Sequence, residues 1–181
     1  MSRRAALAMA LLLGCGGGDE PTEPGGFIAL TDHFRDFRSW PRLAVGEGAL
    51  SAHPEGPRFV YASQSPPPAG EAYPVGAILV HSIEQTEDPA TWELFAMVKR
   101  GGGYTPDGAV GWEFFRLGFS ARGVPVILSR GLNPTEGTPY GGGAGPTTQG
   151  SGCNRCHAAP GTEASDHILS PLLRPGAMRS F

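Results

Sequence analysis

Grouped Lys and Arg are missing from this chain, and that argues against a nucleic-acid partner, because phosphate contacts need clustered positive charge. Its 14 basic and 17 acidic residues leave a net charge of −3. The unbroken apolar run Ala5 to Leu13 falls short of the roughly 20 residues that a spanning helix needs. With only 3 cysteines the chain cannot carry a disulfide framework. Its 28 glycines and 18 prolines exclude a long helical bundle, since these are the residues helices tolerate least. The glycine runs make no phosphate cradle: none follows a strand and opens a helix, and no Gly-Lys-Ser/Thr is present. A nucleophile elbow is lacking too. No internal repeat is found.

What is present starts with an export signal. Ser2-Arg3-Arg4 gives a cationic start, and Ala5 to Leu13 supplies the apolar region. Leu12-Leu13-Gly14-Cys15 resembles a bacterial lipoprotein cleavage box, which makes Cys15 the expected lipidation site; an ordinary signal peptide with an incidental cysteine is the alternative. Residues 1–15 are thus read as a lipoprotein signal peptide, 16–26 as a flexible linker and 27–181 as one domain. The expected location is the periplasmic face of a bacterial membrane, the outer membrane preferred, held there by lipid.

Along the domain, Thr31 or Asp32 is expected to cap a short helix running to about Trp40, with Phe34 and Phe37 on one face and Pro41 ending it. Strand character follows at Arg58–Tyr61, Ala77–His81, Thr91–Val98, Val110–Phe119 and Val124–Leu128. Residues 134–152 read as a long loop, and Ala164 to Leu169 as a short helix before Pro171. The fold class is α+β: an antiparallel, β-rich domain with a few short helices.

Cys153-Asn154-Arg155-Cys156-His157 is the c-type haem attachment sequence. Two thiols at this spacing reach the two vinyl groups of one haem, and the adjacent histidine is placed as the proximal iron ligand. Three other readings exist: a dithiol redox site, a zinc site with further ligands, and a disulfide across two residues. The export signal favours covalent haem c, one per chain. With Cys15 on lipid and two thiols on haem, no cysteine remains. Only 24 residues follow His157. Met178 is the sole methionine beyond the motif, and Met97 sits in a strand pattern that reads as core, so an open sixth iron position is expected. The haem lies on the C-terminal segment.

Several segments, taken in order, resemble the cytochrome P-460 family and its relatives, the β-sheet cytochromes c-prime. Phe34-Arg35-x-x-Arg38-Ser39-Trp40 is similar to the family's opening helix. Arg58-Phe59-Val60-Tyr61 resembles a strand that brings an arginine to the distal pocket. Tyr73 to Val80 resembles an aromatic-x-x-Gly-Thr-x-x-Val segment. Gly111-Trp112-Glu113-Phe114-Phe115 resembles a Trp-containing strand. The resemblance runs from about Phe34 to Arg174. It implies hydroxylamine oxidation, as in lysine-crosslinked members, or binding of nitric oxide and similar gases, as in the c-prime relatives. A one-electron carrier or gas sensor without turnover is the alternative. Where the crosslinked members carry lysine, this chain has His81; Lys99 belongs to a later strand. His81 is therefore a candidate sixth ligand, distal hydrogen-bonding group or haem-edge side chain, and an ordinary c-type ring with slow or no hydroxylamine oxidation is expected. Arg58 is a candidate for stabilising an anionic ligand, against the plain reading of a solvated charge. Asp166 is read as a surface or capping residue with an orienting role as the alternative, and His33, His53 and His167 have no assigned role. Expected partners are a small nitrogenous ligand or substrate, an unidentified redox protein and the membrane; a homodimer is compatible with all of this.

Overall fold

In the computed structural model, which describes residues 26–46, 53, 55–134, 140–141 and 152–177, the β-prone segments pair in the order in which they occur. Strands β1 (Arg42–Gly46), β2 (Arg58–Ala62), β3 (Ile78–Ile83), β4 (Glu93–Lys99), β5 (Trp112–Phe119) and β6 (Pro125–Gly131) form an antiparallel meander. A two-residue β7 (Tyr140–Gly141) joins β6 in parallel. Antiparallel neighbours suit this order, because consecutive strands fold back on one another without a crossover. Between β4 and β5 the chain reverses through Gly101, Gly102 and Gly103, whose φ values of 67, 60 and 67° suit residues without a Cβ.

Alternation along each strand divides the sheet into two faces. On the first, Val60, His81, Phe95 and Arg116 make one cross-strand row, and Ala62, Leu79, Met97 and Phe114 the next. Tyr61, Val80, Ala96 and Phe115 belong to the second face. The N-terminal segment covers the second face: Phe34 lies against Phe115 with centroids 5.3 Å apart, and Phe37 against Tyr61 at 5.1 Å. Burying each such ring stabilises the fold by about 1.5–3 kcal/mol. The C-terminal segment covers the first face, where Ile168, Leu173 and Cys153 join Leu43, Val60, Leu79, Met97 and Phe114.

Some local expectations are corrected. Residues 31–40 form two separate 3₁₀ turns, Thr31–Phe34 and Phe37–Ser39, not one helix. Neither Thr31 nor Asp32 caps the first; Nδ1 of His33 accepts the Leu30 N–H at 2.8 Å. Strand β1 was not expected. In place of a helix over Ala164–Leu169 there is one 3₁₀ turn, Glu163–Ser165, followed by two left-handed residues, Asp166 and His167, with φ of 49 and 63°. The leader with Cys15, the linker up to residue 25, most of the 134–152 loop and Met178 lie outside the described residues.

Candidate haem-attachment site

The Cys-x-x-Cys-His motif forms a single helical turn, α1 (Cys153–His157), whose five residues are too few to be stable by themselves. Docking holds it instead. The Ala109 N–H donates to Oδ1 of buried Asn154 at 2.9 Å, and the Asn154 N–H donates to the Leu132 carbonyl at 3.1 Å. Gly108 permits this approach, since a Cβ there would lie 2.6 Å from the Asn154 amide. Docked this way, α1 turns Cys153 inward onto the first-face cluster and leaves Cys156 exposed. Burial pushes the Cys153 thiol up to about 11. A dithiol redox site needs the opposite, a depressed nucleophilic thiol.

His157 is fixed by the loop that follows it. Its Nδ1–H donates to the His167 carbonyl at 2.7 Å. A carbonyl can only accept, so this bond selects the tautomer with a proton on Nδ1 and leaves the Nε2 lone pair free for a metal. Burial is the main cause that holds the ring below its ordinary basicity. The Oγ1–H of Thr162 donates to the His157 carbonyl at 2.7 Å, and Nδ1–H of His167 reaches that same carbonyl at 3.0 Å. Residues 157–168 therefore wrap His157. Two thiols on one helical turn, Cys153 turned inward and Cys156 at the surface, with a neutral imidazole and an apolar sheet face, match what a thioether-bound haem requires, so the donor set fits the group. A zinc reading fits less well, because no group of three or more His, Cys, Asp or Glu side chains is assembled among the described residues.

His81, on the first face of β3, lies near enough to His157 for that ring to disfavour its protonation. Burial is the larger cause, and together with His53 and Arg58 these effects lower His81 to about 4. His53, which had no assigned role, packs edge-on to His81 at 5.2 Å and to Phe95 at 4.7 Å, and its buried Nδ1 has no hydrogen-bond partner. Arg58 is 6 % exposed, which overturns the reading of it as a solvated charge. The structure thus gathers Arg58, His53 and His81 on the sheet face that α1 also packs against. His33 is remote, engaged in the first 3₁₀ turn and against Phe27. Met97 is core, as its pattern implied.

Two residues near α1 carry more than the sequence indicated. Asp166 is not a surface or capping residue: its carboxylate accepts the Tyr73 N–H at 2.8 Å and the Lys99 ammonium at 2.5 Å, and its carbonyl accepts Nε1–H of Trp112 at 2.9 Å. Lys99, the only lysine in the chain, also donates to the Val110 carbonyl at 3.0 Å. The one lysine is therefore committed to the C-terminal loop. Comparison with protein-family models, curated proteins and solved structures found no match for this chain.

Proposed function

We propose that this chain is an exported mono-haem c-type protein that binds small nitrogen species, hydroxylamine or nitric oxide, at an open iron position, in the manner of the P-460-like proteins its segments resemble. Cys153 and Cys156 hold the haem through thioethers, His157 supplies Nε2 to the iron, and Cys15 carries the lipid. When bound, the haem supplies an iron centre that takes up diatomic or hydroxylamine-like ligands and exchanges electrons. The observation that carries the reading is the His157 Nδ1–H bond to the His167 carbonyl beside two unjoined thiols on the same helical turn. Arg58 and neutral His81 supply a cation and a hydrogen-bonding ring on the facing sheet. A neutral imidazole there also favours a second reading, an electron carrier with His81 as axial ligand.

The test is the mass and spectrum of the purified holoprotein. One haem mass should remain on the denatured chain and vanish in the Cys153→Ala/Cys156→Ala variant. A high-spin five-coordinate ferric spectrum supports ligand binding, and a low-spin bis-histidine spectrum the second reading. Haem that extracts freely into acidic acetone sinks both.

A further inference from the structure

The left-handed pair Asp166–His167 needs a physical reason. Non-glycine residues with positive φ are uncommon, and they persist where the surroundings over-determine them. Here the surroundings do so from two strands and a loop. Asp166 is clamped by Lys99 at the end of β4, by the Tyr73 backbone N–H ahead of β3 and by Trp112 at the start of β5. Lys99 and Trp112 are direct cross-strand partners, and the ammonium lies 4.9 Å from the indole centroid. Both carboxylate oxygens of Asp166 are engaged, and its side chain is 9 % exposed. The carbonyl next to the clamped residue, that of His167, faces Nδ1 of His157 at 2.7 Å.

Resting on the haem reading above, we propose that the buried Lys99–Asp166 pair is a positioning device for the iron-ligating imidazole: by pinning the 166–167 turn it keeps the His167 carbonyl on Nδ1 of His157 and so sets the reduction potential of the iron. Neither side chain touches the haem ligand set; both act through the turn. A carbonyl on Nδ1–H makes an imidazole a stronger donor, and a stronger donor favours ferric over ferrous iron. Loosening the turn weakens that bond and raises the potential.

The test is redox titration of the holoprotein carrying Lys99→Gln or Asp166→Asn, both near in shape to the residues they replace. Acting through the turn, both variants shift the midpoint potential upward, and Lys99→Arg restores most of the wild-type value. A purely electrostatic effect gives opposite shifts, because one variant removes a positive charge and the other a negative one. Opposite shifts, or unchanged potentials with only reduced thermal stability, overturn the proposal. Should the Asn variant fail to fold, the sign of the shift in Lys99→Gln decides: upward supports the device, downward or none refutes it. A wild type without covalent haem removes the reading on which the inference rests, and that outcome is seen in the mass spectrum before any titration.

Discussion

His81 is the residue at which burial, charge and chemistry meet. Its ring faces His53 and Arg58, with His157 beyond, and Glu93 is the acidic group acting on His53. Desolvation comes first among the causes that lower His81 from 6.5 to about 4. At neutral pH it therefore presents a neutral ring, able to donate or accept one hydrogen bond. The lowered value has a sign in stability. Between pH 6.5 and 4 the unfolded chain binds a proton that native His81 refuses, so stability is intact above the unfolded value and falls with acidification. The loss attributable to this ring reaches at most about 3 kcal/mol near pH 4. We expect His81→Gln to flatten the decline of the denaturant midpoint over that window; an unchanged slope assigns the acid sensitivity elsewhere. His53 is lowered as well, so a residual slope remains in the variant. With Lys99 held by Asp166, an ordinary c-type spectrum in alkaline pyridine goes with the same reading.

Among the elements, β5 depends most on a polar contact. Glu113 points to the second face, 1 % exposed, where Arg130 of β6 binds it through Nε and Nη2 at 2.8 Å each and Arg100 adds Nη1 at 3.2 Å. Nη1–H of Arg130 also donates to the Ala29 carbonyl at 2.9 Å, so one carboxylate joins β5, β6, the β4–β5 turn and the N-terminal segment. Removing one partner of a buried ion pair costs more than the pair contributes, because a charge is left uncompensated. Glu113→Ala is expected to lower unfolding stability by about 3 kcal/mol, read from the denaturant midpoint, while the haem spectrum of the folded fraction stays unchanged because the first face is not touched. A spectral change of the folded fraction would contradict the separation of the two faces. How much of this was legible in the sequence follows from reach. The strands from β2 to β6 were legible within a few residues, since apolar and β-branched runs between Gly and Pro are local signals. Strand β1 was not, having only Leu43 and Val45 as inward apolar residues directly after Pro41. The motif on α1 was legible outright, but its supports were not: Asn154, Trp112 and Lys99 make contacts across 45, 54 and 67 positions. The only local hint at 166–167 is that Asp and His are among the residue types that tolerate the left-handed region.

At the scale of the whole molecule the sheet is a partition, with the N-terminal segment on one face and the candidate haem segment on the other. No helix among the described residues is long and apolar enough to cross a membrane. Taking away residues 1–14, which contain Arg3, Arg4 and no acidic residue, changes 14 basic and 17 acidic residues to 12 and 17, a net of −5. An anionic body is repelled by an anionic leaflet, and no run of Lys and Arg longer than a pair follows Arg4 in the sequence to compensate. The lipid proposed at Cys15 would supply retention of another kind, since a covalent acyl group contributes about 0.8 kcal/mol per buried CH₂, independent of salt. Two observations together separate this from adventitious sticking. The wild type should stay in the membrane fraction through a high-salt wash and leave it only with detergent. Cys15→Ser should keep its export signal, acquire the same covalent haem and appear in the soluble fraction with an unaltered spectrum. A Cys15→Ser protein that remains membrane-bound, or a wild type released by salt alone, would rule out the anchor while leaving the haem site untouched, because Cys15 has no part in it.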